Sequence, residues 1–116
     1  MQNFSILALT LVATAVVADA RFVGFDGAQV DVAGDKPLGV SKYAAAVGDA
    51  YAADVLGTTK VEAGAPIPIL AKGLTPVKSD ALGRAIPHGG VGEIAGYLVG
   101  NPALAVGQIV EILLKI

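Results

Sequence analysis

Residues 6–18 read Ile6-Leu7-Ala8-Leu9-Thr10-Leu11-Val12-Ala13-Thr14-Ala15-Val16-Val17-Ala18, and Asp19-Ala20-Arg21 follow. Three readings compete for this run. As a secretory leader it has an apolar stretch and Ala18-Asp19-Ala20 as a small-residue cleavage site, but the basic n-region is missing, because the first basic side chain is Arg21. As a membrane span it is short of the ~20 apolar residues that a crossing helix needs. As a β-strand it is well supplied, and Phe4–Val12 is rich in residues that suit a pleated surface. Period-2 alternation places Phe4, Ile6 and Ala8 on one face and Leu7, Leu9 and Leu11 on the other. Both faces are apolar, so the strand is expected to want cover on both sides.

The rest of the chain divides into short period-2 segments broken by turn residues. Arg21–Phe25, Asp26-Gly27 and Gln29-Val30-Asp31-Val32 read as a hairpin with a favoured tight-turn dipeptide. Gly34-Asp35-Lys36-Pro37 breaks the chain before Leu38-Gly39-Val40. Thr59, Val61 and Ala63 point one way, and Thr58, Lys60 and Glu62 the other; Ala52–Leu56, before Gly57, is expected to pair with that strand. Pro68 marks Ile67–Leu70 as an edge or loop. Thr75–Lys78 is a short strand and Ser79–Arg84 a turn. Ile94–Val99 and Gln108–Ile116 are closing strands, joined across Gly100-Asn101-Pro102; Val110, Ile112, Leu114 and Ile116 form one apolar face, with Glu111 and Lys115 on the other. Ser41–Ala53 holds six Ala, but Gly48-Asp49 interrupts it and no stripe at i, i+3, i+4 runs through it, so a single short helical turn is the most it supports. Regular turn spacing points to an all-β fold, a small single-domain β-barrel or sandwich with short strands, long loops and little helix. Residues 1–116 are read as one domain, with 1–19 as an amino-terminal strand or arm.

Composition narrows the function. The 116 residues are 54% hydrophobic and 16% charged, the opposite of a disordered chain. A net charge of -2 lacks the electrostatic footprint of a nucleic-acid binder. With no Cys and one His there is neither a disulfide framework nor a thiolate or multi-histidine metal site. Three Phe, three Tyr and no Trp leave few bulky anchors, which favours stability gained by assembly.

Motifs for chemistry are weak. Gly90-Val91-Gly92-Glu93-Ile94-Ala95 fits a dinucleotide fingerprint, but that motif needs a strand before it and a helix after it. Pro87-His88 precedes it and Gly100-Asn101-Pro102 blocks a long helix, so a glycine loop feeding a strand is the simpler reading. His88 is the one candidate base near neutral pH, and Ser5, Ser41 and Ser79 lack a Gly-x-Ser-x-Gly elbow. Asp26, Asp31, Asp35, Asp49 and Asp54 lack calcium-loop spacing and sit where turns expect Asp. The expectation is a non-enzyme with no cofactor and no metal.

Several stretches, in this order, carry a family likeness: Leu9-Thr10-Leu11-Val12-Ala13-Thr14, Arg21-Phe22-Val23, Ala33-Gly34-Asp35-Lys36-Pro37-Leu38-Gly39-Val40, Ala46-Val47-Gly48-Asp49, Val55-Leu56-Gly57-Thr58, Val61-Glu62-Ala63-Gly64-Ala65, Ser79-Asp80-Ala81-Leu82-Gly83-Arg84-Ala85 and Val106-Gly107-Gln108-Ile109-Val110-Glu111-Ile112-Leu113-Leu114. Together they resemble the small capsid cement, or decoration, proteins of tailed bacteriophages. The resemblance implies a mostly β, β-tulip-like protein on the outer surface of the virion head, stabilising the shell and commonly trimeric. It implies the major capsid protein and the chain itself as partners, no nucleic acid or membrane, and no catalytic residues. The two apolar faces of the first strand make Phe4, Ile6, Leu7, Leu9 and Leu11 the expected interface, through strand sharing with a neighbouring subunit or the capsid protein; the other reading is an interior strand of the protein's own barrel. The alternative is an exported small β protein, a ligand carrier or hydrolase, with residues 1–20 as a cleaved signal peptide.

Overall fold

The computed structural model describes residues 5–69 and 75–115. Among the described residues there are eight strands: β1 (Ser5–Val12), β2 (Phe22–Val23), β3 (Gly39–Ser41), β4 (Ala50–Glu62), β5 (Thr75–Ser79), β6 (Ala85–Pro87), β7 (Gly96–Val99) and β8 (Ile109–Leu114). No helix occurs among the described residues. The sheet runs β2-β3-β4-β8-β7-β5-β6, and β1 pairs β4 off that path. The ends of the path curl toward each other. The Phe22 amide donates to Gly83 O at 2.7 Å, and Gly64 N donates to Ala85 O at 2.8 Å beside an Ala63–Ala85 bridge. The result is a small, nearly closed barrel, since closure hides edges that would otherwise be left unpaired.

β4 is the spine, and here the structure corrects the sequence reading. Ala52–Leu56 does not pair with Thr58–Ala63; both, as far as Glu62, lie in one 13-residue strand that continues through Gly57. Gly57 has φ +97°, a conformation that glycine alone adopts cheaply. It bends the strand without reversing it. Before the bend β4 pairs with β1 and β3, and after it with β8, from Ser5↔Gly57 on one side to Thr58↔Leu113 on the other. One strand thereby serves two parts of the wall.

The alternation read for the second half of β4 holds. Thr59, Val61 and Ala63 are buried, and Lys60 is exposed. Val110, Ile112 and Leu114 of β8 face them and, with Phe22, Val40, Ile67 and Val77, form the main core. Ile116 lies outside the described residues. Glu111 departs from expectation: it sits on the opposite face but is only 8% exposed. The hairpin over 21–32 is present in reduced form, with a two-residue β2, a Val23↔Gln29 bridge and Gly27 N donating to Gly24 O in place of a full second strand. The region 41–53 has no helical turn. Ala45 bridges Val17, a turn occupies 46–49, and β4 begins at Ala50. Ala is a good helix former, but propensity yields to tertiary pairing here.

A smaller second core lies beneath β1. Tyr51 and Val17 are fully buried there with Val23 and Ala53, Ala13 and Ala45 complete it, and Leu11 packs against its side. The apolar run of the amino-terminal third is therefore divided: β1 forms a strand, and Ala13–Ala20 crosses the barrel end to supply core residues. The Tyr51 hydroxyl donates to Gly27 O at 2.8 Å. Burial, aided by the Asp26 carboxylate, raises the Tyr51 phenol above its ordinary value. A phenol with a raised folded-state pKa contributes stability that is present below its unfolded pKa of about 10 and lost as pH climbs past it. Lys36, lowered by burial and then by Lys115, works in the opposite direction. The urea midpoint of the wild type is therefore expected to fall more steeply between pH 9.5 and 11.5 (about the phenol range) than that of Tyr51→Phe. Parallel curves would contradict this.

Candidate docking surface

β1 runs antiparallel to β4 with Leu11↔Tyr51, Thr10↔Ala52, Leu9↔Ala53 and Ala8↔Asp54 in register. Opposite residues in such a ladder share a face. Leu9 and Leu11 thus lie on the side of buried Ala53 and Tyr51, and Ala8 and Thr10 on the other. Burial falls away along the strand. Leu11 is half-buried against the small core, Leu9 is 40% exposed and Leu7 is 47% exposed. Ala8 and Thr10 are exposed as well. The cover expected on both faces is not supplied by the described residues. The edge is open as well: β1 has β4 as its one strand neighbour among the described residues, so its outer edge carries backbone N–H and C=O groups with no ladder partner there. Of the expected interface residues, Leu9 and Leu11 share one face, and Leu7 lies beyond a register shift that separates it from Ala8. Ile6 falls within β1 at the irregular register between Ser5 and Leu7. Phe4 lies outside the described residues.

Several of the groups considered for chemistry bond to nearby backbone. His88 Nε2 lies 2.7 Å from Gly92 O and its Nδ1 accepts from Gly90 N at 3.2 Å, so the ring clips its own loop. Gly92 leads into β7 and not into a helix, which removes the context of a dinucleotide fingerprint. The Ser41 hydroxyl donates to Ala18 O at 2.7 Å and the Ser79 hydroxyl to Asp80 O at 2.9 Å. Asp80 Oδ1 accepts from Leu82 N and Arg84 N, both at 2.8 Å, as a turn carboxylate does. Among the described residues no three His, Asp or Glu side chains gather at a common point.

Two polar clefts went unread in the sequence. One, of about 530 Å³, is lined by Lys60, Asn101, Gln108 and Glu111 beside Val99 and Ile109. The other, of about 330 Å³, is lined by Asp19, Lys42, Asp54, Thr59 and Lys60. Asp54 is 1% exposed; its Oδ2 accepts from Thr59 Oγ1 at 2.8 Å, and Lys42 Nζ lies 3.6 Å from its Oδ1. A buried carboxylate so partnered ties the β3 end to the bend of β4, a structural use of charge.

No family model and no curated protein matches the sequence. Among solved structures, the N base of the head fiber gp8.5 of bacteriophage phi29 matches with a TM-score of 0.73, covering 94% of this chain and 93% of that one at 20% identity. The two share a fold. The match runs over nearly the whole of both chains, so it includes the barrel and not one hairpin of it.

Proposed function

We propose that the chain is a structural, non-catalytic protein of a tailed-phage head. It binds the outer surface of the shell as trimers at three-fold positions, and its partners are the major capsid protein and its own copies. The observation that carries this reading is the whole-chain likeness to a head fiber base. Two features agree with it. The small cores hold few aromatic side chains, and symmetric contacts would add buried apolar surface at about 25 cal/mol per Å². The outer edge of β1, unpaired among the described residues, and its exposed leucines offer backbone pairing and apolar grip to a neighbouring strand. The test uses heads of the phage that encodes the chain, prepared without it. Adding the purified chain should give saturable binding and raise the temperature at which the heads release DNA. Heads that stay bare and equally heat-sensitive would contradict the proposal.

A further inference from the structure

Three segments that are distant in sequence meet at one end of the barrel. β1 ends there at Val12, opposite Ala50 at the start of β4. Ala13 N donates to Asp49 O at 2.9 Å and Gly48 N to Ala13 O at 2.8 Å, which joins 12–16 to the 46–49 turn. Thr14 Oγ1 donates to Asp26 O at 2.9 Å, and the buried Tyr51 hydroxyl holds Gly27 O, which joins both to the 24–28 turn. Gly27 has φ +82°, and a Cβ there would run into the Val12 carbonyl, so the turn sits directly against the end of β1. This bonded platform presents four large apolar side chains to solvent: Phe25 at 85% exposed, Val16 at 73%, Val47 at 64% and Val12 at 59%. An aromatic ring held out on a braced turn is a costly thing to leave in water, and such patches mark contact sites.

The charge around the patch states what it fits. Segments 12–16, 24–28 and 46–50 contain two carboxylates, Asp26 and Asp49, and no Lys, Arg or His. Each carboxylate also shapes its own turn, Asp26 Oδ1 accepting from Ala28 N and Asp49 Oδ2 from Ala46 N. A second copy docked face to face would set these acids against themselves, and an anionic lipid or nucleic acid would be repelled. We infer that this tip is a docking surface for a different protein, one presenting an apolar hollow that takes Phe25, rimmed by Lys or Arg. The inference rests on the head reading above, under which that protein is the shell; it adds a second contact on elements other than the β1 edge.

The test measures binding of the full chain and its variants to isolated heads at low and high salt. Phe25→Ser and Val47→Ser remove exposed side chains, so the fold should keep its urea midpoint. Phe25→Ser should weaken binding at least about tenfold, as central aromatic anchors do, and Val47→Ser several-fold. The double variant D26N/D49N keeps an acceptor oxygen for each turn. It should slow association and flatten its salt dependence. If the wild type binds heads but both serine variants bind within twofold of it, the tip inference fails and the head reading stands. The same holds if D26N/D49N shows the wild-type association rate and salt slope. If sedimentation shows that Phe25→Ser abolishes self-association and leaves head binding unchanged, the occupant is a second copy and the inference is overturned. If the wild type binds no heads, the head reading falls and takes the inference with it.

Discussion

Deleting residues 1–8 should leave a folded protein that binds heads far more weakly. The described part of that segment contributes little to either core: Leu7 and Ala8 are exposed, and burial begins further on, at Leu11 and Ala13. What it does contribute is the start of the β1 ladder, from Ser5↔Gly57 to Ala8↔Asp54, and an outer edge with no strand partner among the described residues. The truncated chain should therefore keep a cooperative urea transition, with a loss of about 1–2 kcal/mol, the scale of a few partly exposed ladder bonds and one leucine. Head affinity should drop by about a hundredfold or more, because strand addition depends on a continuous run of backbone groups. A protein that fails to fold would place the strand in the core instead. One that folds and still protects heads from heat would remove β1 from the interface.

The second large effect is expected at Tyr51. Its side chain is fully buried, it anchors the smaller core, and its hydroxyl holds the 24–28 turn through Gly27 O. Tyr51→Ala removes the largest side chain of that cluster and opens a cavity beneath β1. The expected cost is about 3–5 kcal/mol, a large share of the 5–15 kcal/mol that holds a typical domain together. Tyr51→Phe keeps the ring and should cost only about 1–2 kcal/mol for the lost bond. Urea unfolding of the two variants measures the difference. Equal, small losses would mean that the second cluster contributes little to global stability.

These elements also show what was legible from the residues alone. The alternation Thr59-Val61-Ala63 and the face Val110-Ile112-Leu114 mark core strands directly, because a two-residue period survives whatever the strands pair with. The β1 strand was visible too, from its β-forming residues and the poor fit of a leader or a span. Gly57 was misread because a positive-φ glycine permits a turn or a bend equally, and only the partners on either side, β1 and β8, decide between them. β6 was missed, since Ala85-Ile86-Pro87 is three residues long and ends in Pro. The exposure of Leu7 and Leu9 could not be read, because apolar alternation reports which residues share a face and not whether anything covers it. The tip was invisible for the same kind of reason. Phe25, Val16 and Val47 lie in three segments distant in sequence, and only the bonds Thr14–Asp26 and Gly48–Ala13 join those segments. Glu111 alternates onto the polar face and is nonetheless buried, at the lining of the cleft that Lys60 and Gln108 share.

The most direct test of the central claim is a cryo-EM map of heads saturated with the full chain, compared with a map of the same heads without it. Added barrel-shaped density is expected on the outer surface, in threes about the local and true three-fold positions, with β1 against a neighbouring strand. A difference map that is empty outside the shell, or that shows isolated copies away from the three-folds, would contradict it.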